Sequence, residues 1–456
     1  MLQPDVTATP PLKGLRLVAT LPPRHWFGGL DRIAATEMIR ELRDLGATVF
    51  DLDTSGFVDK DPARIDDAVR AVRQFRADVA MAVPNAGYAF VCRTSKGKNL
   101  FRDILRIPTV LIWDHGLLQF APLVLGSLPV TPAESRDGSI GRLRKGLDHP
   151  LFVHYSPDRG MTAVIEKLGV IGAGKVRNFV QPAWPMYVRQ ARDPQAGPAL
   201  RSRVAFTGNI YLEAAQKLPF RTHPVLAGIE SRMVQAKKAQ LTTNLWDLLL
   251  AEIEGLDDTT RQELHLHPDD SFFWSFVYGE IETVGTTEAR LAVLTGLREE
   301  CDFYGNFIEP AATSRFQSEF GLRFRGSLDI VTELPFLYQN SDLIVDIVHP
   351  GYMSGSSPKI PAVMVCGGMV LFDYKEDFRL AMGEIADSVM YRSVDQLNAL
   401  IDLYLGDPRK RREIAGELQQ RVLREFTIGA FFKHILVDEP AWRSCRGGRF
   451  SWLRHL

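Results

Sequence analysis

The chain alternates short, continuously apolar runs with longer segments in which apolar positions recur every three or four residues. The first run, Leu15–Leu21, leads through the loop Pro22–Gly29 into a helical pattern from Leu30 to Leu45, stopped at Gly46. Ala47–Asp53 is the next apolar run. Further strands are predicted at Asp78–Val83, Thr109–Trp113, Leu151–Tyr155 and Val176–Val180, with helices near Ile65–Phe75, Leu100–Leu105 and Gly160–Leu168. Apolar runs without polar alternation mark strands covered on both faces. Their alternation with helices predicts a parallel sheet, with ligands outside the carboxyl ends of its strands.

Gln181-Pro-Ala-Trp-Pro185 and the polar stretch from Arg192 to Arg203 read as a connection. A second α/β series opens at Arg203–Gly208. A segment rich in helix formers, about 218–285, interrupts it and is read as a helical insertion. The series resumes at Glu288–Leu297 and Cys301–Tyr304, continues through Phe324-Arg-Gly, Asp342–Val348 and Met369–Phe372, and closes with helices near Val394–Leu405 and Arg409–Phe426. The fold class predicted is α/β, with two Rossmann-like domains facing across a cleft. The expected divisions are residues 1–190, residues 191–436 carrying the insertion, and a tail at 437–456.

Length supports this division, since 456 residues exceed what one hydrophobic core usually holds. The 54 basic and 55 acidic residues leave a net charge of −1, which argues against a protein devoted to gripping nucleic acid. The four cysteines, Cys92, Cys301, Cys366 and Cys445, match no metal-ligand spacing and fit free thiols. The first residues lack the pattern of a signal peptide, and no apolar run reaches the roughly 18–20 residues of a membrane span. The expected location is the cytoplasm.

Three constellations carry candidate chemistry. In His25-Trp-Phe-Gly28-Gly29-Leu-Asp31, glycines before a helix let backbone amides approach a ligand. The fingerprint G-x-G-x-x-G is absent, so a dinucleotide site is not expected, and Asp51 and Asp53 read as a solvated strand end. Asp114 and His115 close the fourth predicted strand, where a carboxylate or an imidazole could serve as general base. The richest stretch is His349 to Tyr374. Its loop Ser354-Gly355-Ser356-Ser357 precedes Pro358 and Lys359 at a helix start, and is read as a phosphate cradle with a charge at its mouth. His265 and His267 have a metal-compatible spacing but are read as surface residues, so no metal is expected.

Outside the insertion, the chain from Val204 to about Leu436 resembles the C-terminal domain of glycosyltransferases of the GT-B architecture, and is most similar to their CgeB-like (spore-maturation-type) group. The resembling segments are Val204-Ala-Phe-Thr-Gly-Asn209, Phe324-Arg-Gly-Ser, Glu333 to Asp342, the loop-helix-strand from His349, and Asp407-Pro-Arg to Thr427. The resemblance implies a nucleotide-sugar donor held mainly by the second domain. Gly208 and Asn209 would approach its diphosphate from one side and Ser354–Lys359 from the other. It also implies catalysis without a bound divalent ion or other cofactor. Relatives often carry an Arg and a ribose-gripping Glu on the helix after the loop. Here Lys359 stands near the Arg position, Pro361-Ala362 offers no Glu, and Glu376 and Asp377 are the acids left for that contact.

The expected function is transfer of a sugar to a bacterial surface glycan or protein acceptor. The first domain would bind the acceptor and supply any base from His25, Asp31, Asp114 or His115. Neither nucleic acid nor an integral membrane segment is expected, and the insertion is a candidate surface for a protein partner. The alternatives are a nucleotide-sugar epimerase or hydrolase on the same fold, or a catalytically degenerate scaffold.

Overall fold

The computed structural model describes residues 10–25, 29–114, 124–125, 128–193, 197–211, 218–305 and 317–445. Two six-stranded sheets, parallel throughout, follow one another along the chain. The first contains β1 (Arg16–Leu21), β2 (Thr48–Asp53), β3 (Val79–Ala82), β4 (Thr109–Ile112), β5 (Phe152–Ser156) and β6 (Val176–Asn178). Their spatial order is β2-β1-β3-β4-β5-β6. The second contains β7 (Val204–Thr207), β8 (Asp302–Tyr304), β9 (Arg323–Gly326), β10 (Leu343–Asp346), β11 (Val370–Asp373) and β12 (Met390–Tyr391), in the order β12-β11-β10-β7-β8-β9.

These orders place the binding crevices. Numbered within its own domain, the second sheet has the 3-2-1-4-5-6 order of doubly wound nucleotide-binding domains. Its strand order reverses between β7 and β10. The first sheet begins 2-1-3-4-5, and its order reverses between β1 and β3. Crossovers leave in opposite directions at each reversal, so a crevice opens there at the carboxyl ends of the strands.

Local sequence accounts for the elements. The central strands β3, β4, β7, β10 and β11 are buried along their whole length. Helix starts are capped: Asp61 accepts from Ala63 and Arg64 before Pro62–Phe75, Ser393 from Gln396 before Val394–Gly406, and Asp407 from Lys410 before Pro408–Glu425. Proline at the first helical position in two of them costs no intrahelical hydrogen bond.

The segment read as an insertion lies between β7 and β8 and is helical at Pro224–Ala239, Leu245–Glu254, Asp258–Glu263 and Ser271–Tyr278. Its apolar face joins the first domain. Leu226, Met233, Trp246, Phe272 and Phe276 share one buried cluster with Phe90, Trp113 and Leu143. Backbone bonds seal the contact: Ser139 donates to the carbonyl of Asp269 (2.8 Å) and Ser271 to that of Arg136 (2.9 Å). The chain also returns at its end. Ile428–Lys433 and His434–Asp438 pack on Leu17, Val79 and Val110 of the first sheet. Where the connecting segments cross, Ala183 donates to Phe426 (2.8 Å) and accepts from Ile428 (3.1 Å). Each half of the sequence therefore contributes to the other's core. Among the described residues no helix is long and apolar enough to cross a membrane.

Candidate active site

At the first reversal, the loops after β1 and β3 bring Asp31, Asn85 and Tyr88 together. Asp31 lies in the first turn of the helix Leu30–Asp44, just after Gly29. Gly29 has φ +84°, and a Cβ there would lie 3.3 Å from the Arg24 carbonyl oxygen, so the turn requires glycine. Tyr88 Oη donates to Asp31 Oδ2 (2.5 Å), and Asn85 Nδ2 approaches the same oxygen (3.4 Å). Burial, with the carboxylates of Asp31 and Asp114 nearby, pushes the Tyr88 phenol far above its ordinary range. Asp31, Tyr88 and Asp114 are all buried. The crevice therefore holds two carboxylates beside one phenol that stays protonated. His25 is exposed in the β1 loop and, among the described residues, has no hydrogen bond or ion pair. Gly28 and His115 lie outside the described residues.

The second reversal is cationic. Lys359 begins the helix Lys359–Val365, and its ammonium reaches across to β7 and β10. It donates to the Thr207 carbonyl and to Asp346 Oδ1 (2.7 Å), 5.2 Å from the centre of the Phe206 ring. A Cβ on Gly208 would lie 3.6 Å from this ammonium nitrogen, so the two segments expected to flank a diphosphate do adjoin. Arg290, from the helix Thr286–Leu294, donates to the Asn209 carbonyl and lies 5.8 Å from the centre of the same ring. Burial lowers the Lys359 pKa, Asp346 opposes that shift and Arg290 adds to it. Two cations and one buried carboxylate thus meet at the glycine turn.

The loop from His349 to Pro358 is laced on several sides. Val348 N donates to Asp373 Oδ1 (2.6 Å), Lys375 Nζ to the Tyr352 carbonyl (2.7 Å) and Ser357 Oγ to Asp346 Oδ2 (3.0 Å). His349 Nε2 meets Thr286 Oγ1 (2.9 Å), and its Nδ1 accepts from Gly351 N (3.0 Å). That pairing fixes the tautomer with the proton on Nε2. Tyr352 Oη donates to the Asp114 carbonyl, which joins the loop to the first crevice.

Ser354 meets the first domain, with the amides of Met353 and Ser354 directed to the Asp158 carboxylate. Asp377 binds Ser354 and Arg159. Glu376 is exposed and accepts from Tyr374. Gly355 abuts the Pro157 carbonyl, while Ser356 is buried. Ala362, on the helix after the loop, is buried in the core.

Asn85, Tyr88, Asp158 and Arg290 were not singled out from the sequence. Asp158 carried a readable signal, an Asp between a strand and a helix start. Arg290 lies within the helical run Thr-Thr-Glu-Ala-Arg-Leu-Ala-Val-Leu and has none. Elsewhere, His267 Nδ1 accepts from Asp269 N (3.2 Å), while His265, Asp270 and Asp137 place one ligand atom each within 4.8 Å of one another. Asp137 is exposed, and this group lies where the insertion meets the first domain.

Two Rossmann-like domains with crevices at the carboxyl ends of both sheets define a protein of the GT-B architecture. Residues 290–436, the part holding Arg290, the laced loop and Lys359, match a family model described as glycosyl transferase-like. The similarity to glycosyltransferase-like proteins therefore covers this part of the second domain. Among curated proteins none matches it in sequence. Similar solved structures include AviGT4, a glycosyltransferase involved in avilamycin A biosynthesis (13% identity, TM-score 0.47, 94% of this chain and 98% of that one). A glycosyltransferase from Rickettsia africae ESF-5 aligns at 10% identity and TM-score 0.47, with the same coverage. Anabaena HepE, in complex with UDP and glucose, aligns at 11% identity and TM-score 0.46, covering 94% of this chain and 100% of that one.

Proposed function

We propose that the protein transfers a sugar from a nucleotide-sugar donor to a hydroxyl acceptor across the cleft, without a bound metal ion. The observation that carries this reading is the convergence of Lys359 and Arg290 on the Gly208–Asn209 turn at the second reversal. A departing diphosphate needs positive charge placed in advance, and low polarity around the site strengthens its effect. The two cations supply that charge, so the reaction should run unchanged in excess EDTA.

On this reading the acceptor sits at the first reversal. Its oxygen attacks the anomeric carbon, the bond to the diphosphate oxygen breaks, and the acceptor proton passes to a carboxylate. Asp114 is the better base of the two acids. Its backbone carbonyl is bound by Tyr352 of the donor loop, which ties this acid to the donor side of the cleft. Asp31 is then a positioning residue acting through Tyr88. A bacterial surface glycan or protein is the acceptor class we favour, and the CgeB-like group the relationship, on the segments that carry the resemblance. UDP is the first donor nucleotide to test, because HepE is described with UDP and glucose.

The test is a thermal-shift screen with UDP-, GDP- and ADP-sugars, followed by turnover of any sugar nucleotide that stabilises the protein. Stabilisation by one nucleotide class and loss of that shift in Arg290→Ala are expected. No stabilisation by any of them would overturn the reading. Product formed from a sugar nucleotide alone would instead favour an epimerase or hydrolase.

A further inference from the structure

The residue that holds the donor loop comes from the opposite domain. Asp158 ends the turn after β5 and is fully buried. It caps its own helix, Arg159–Lys167, by accepting from Met161 N (2.8 Å). The same carboxylate accepts the amide of Met353 (2.5 Å) and that of Ser354 (3.3 Å) from the second domain. Ser354 Oγ accepts from Gly160 N (2.8 Å) and lies 3.1 Å from Asp158 Oδ1 and 2.7 Å from Asp377 Oδ2. Arg159 closes the ring, its backbone amide (2.9 Å) and guanidinium (2.5 Å) both donating to Asp377. The fit is close: a Cβ on Gly355 would lie 2.1 Å from the Pro157 carbonyl oxygen, so any larger residue would push the domains apart.

These groups depend strongly on one another for their protons. Ser354 Oγ has one hydrogen for two carboxylates and already accepts from Gly160. Burial and the Asp377 charge raise the Asp158 pKa, while the amides of Met161 and Ser354 and the charge of Lys375 lower it. Four residues later along the same loop, Pro358 leads into Lys359 of the cationic corner. One end of the loop is therefore fixed by the first domain and the other bears the charge aimed at the donor.

We propose that Asp158 is a positioning residue that sets the donor loop from the opposite domain, so that the diphosphate site takes its shape only when the domains are together. This inference rests on the donor reading above. It predicts a selective lesion: without Asp158 the loop loses its anion anchor, and the diphosphate loses its contacts, while the base and ribose part of the ligand is untouched.

The experiment is calorimetric titration of the full chain with UDP, GDP and ADP, and with the nucleoside of whichever binds. For Asp158→Ala a loss of about tenfold or more is expected in diphosphate affinity, a difference of roughly 1.4 kcal/mol. Nucleoside affinity should be unchanged. Asp158→Asn should recover part of the loss, because its amide oxygen still accepts one N–H. Ser354→Ala should show a smaller loss of the same selectivity, and it decides the matter if Asp158→Ala does not fold. Equal weakening of nucleoside and diphosphate, or no weakening in either variant, would overturn the positioning role and leave the donor reading standing. Failure of the unmodified protein to bind any of the three nucleotides would overturn both.

Discussion

The two sheets share an architecture and differ in the charge of their crevices. Each reverses its strand order once, and each reversal gathers side chains from the loops on either side. In the first domain these are Asp31 and Asp114 around a protonated Tyr88. In the second they are Lys359 and Arg290 around a glycine turn, with one buried carboxylate to hold the lysine. Backbone topology decides where a crevice opens, and the side chains at the loop ends decide what it can hold. An acidic crevice suits a hydroxyl about to lose its proton, and a cationic one suits a diphosphate about to leave.

The largest effect should come from neutralising the first crevice. Asp114→Asn should lower kcat by about 10²–10⁴-fold, the usual contribution of a general base, with donor KM little changed. Steady-state kinetics on any confirmed donor checks this. A larger loss from Asp31→Asn than from Asp114→Asn would reverse the roles assigned to the two acids.

Next in size is the cationic corner. Arg290→Ala should lower kcat/KM by about 10²–10³-fold, comparable to removal of one donor from an oxyanion site. Arg290 is the cleaner probe, because removing Lys359 strands Asp346, which is almost fully buried, and such losses cost roughly 3–5 kcal/mol of stability. Kinetics and a melting curve measured together separate the two consequences.

Groups outside both crevices should alter stability and leave kinetics alone. Glu280, in the insertion, is fully buried, neither of its carboxylate oxygens is hydrogen-bonded among the described residues, and burial raises its pKa to about 9. The folded state keeps a proton that the unfolded chain releases above about 4.5, so stability falls as pH rises from there towards 9. Glu280→Gln should remove that slope and raise Tm at pH 8 by a few degrees, about 2–4 °C per kcal/mol for a domain of this size. A change in KM would instead draw the insertion into the site.

His154 behaves oppositely. Its Nδ1 accepts from Trp113 Nε1 (3.1 Å), its Nε2 faces the Leu147 carbonyl (3.0 Å), and burial lowers its pKa from 6.5 to about 4. The folded state refuses a proton that the unfolded chain takes up, so its contribution is intact above pH 6.5 and declines as pH falls towards 4. Urea unfolding followed by tryptophan fluorescence should show this decline, and His154→Gln should flatten it.

Most of the scaffold was legible in the sequence, because buried parallel strands are short apolar runs and their helices carry caps and stops. The two α/β series stand where the pattern put them. The two-residue strand Met390–Tyr391 escaped notice, since so short a segment has no period to read. The destination of the insertion was equally hidden: an apolar helix face shows that something covers it, not which domain does. The same limit applied to the site. Gly208 and Lys359 stood out through residue type and loop context, whereas Arg290 and the Asp158–Ser354 contact depend on segments 81 and 196 residues apart in the chain. Such pairings leave no local mark.

The central claim is that the cationic crevice holds the donor and the acidic one does not. Hydrogen exchange of the full chain with and without saturating UDP, GDP or ADP tests it most directly. The account predicts slowed exchange around residues 207–211 and 353–360, and unchanged exchange in the loops after β1 and β3. Protection confined to the first domain, or none with any of the three nucleotides, would contradict it.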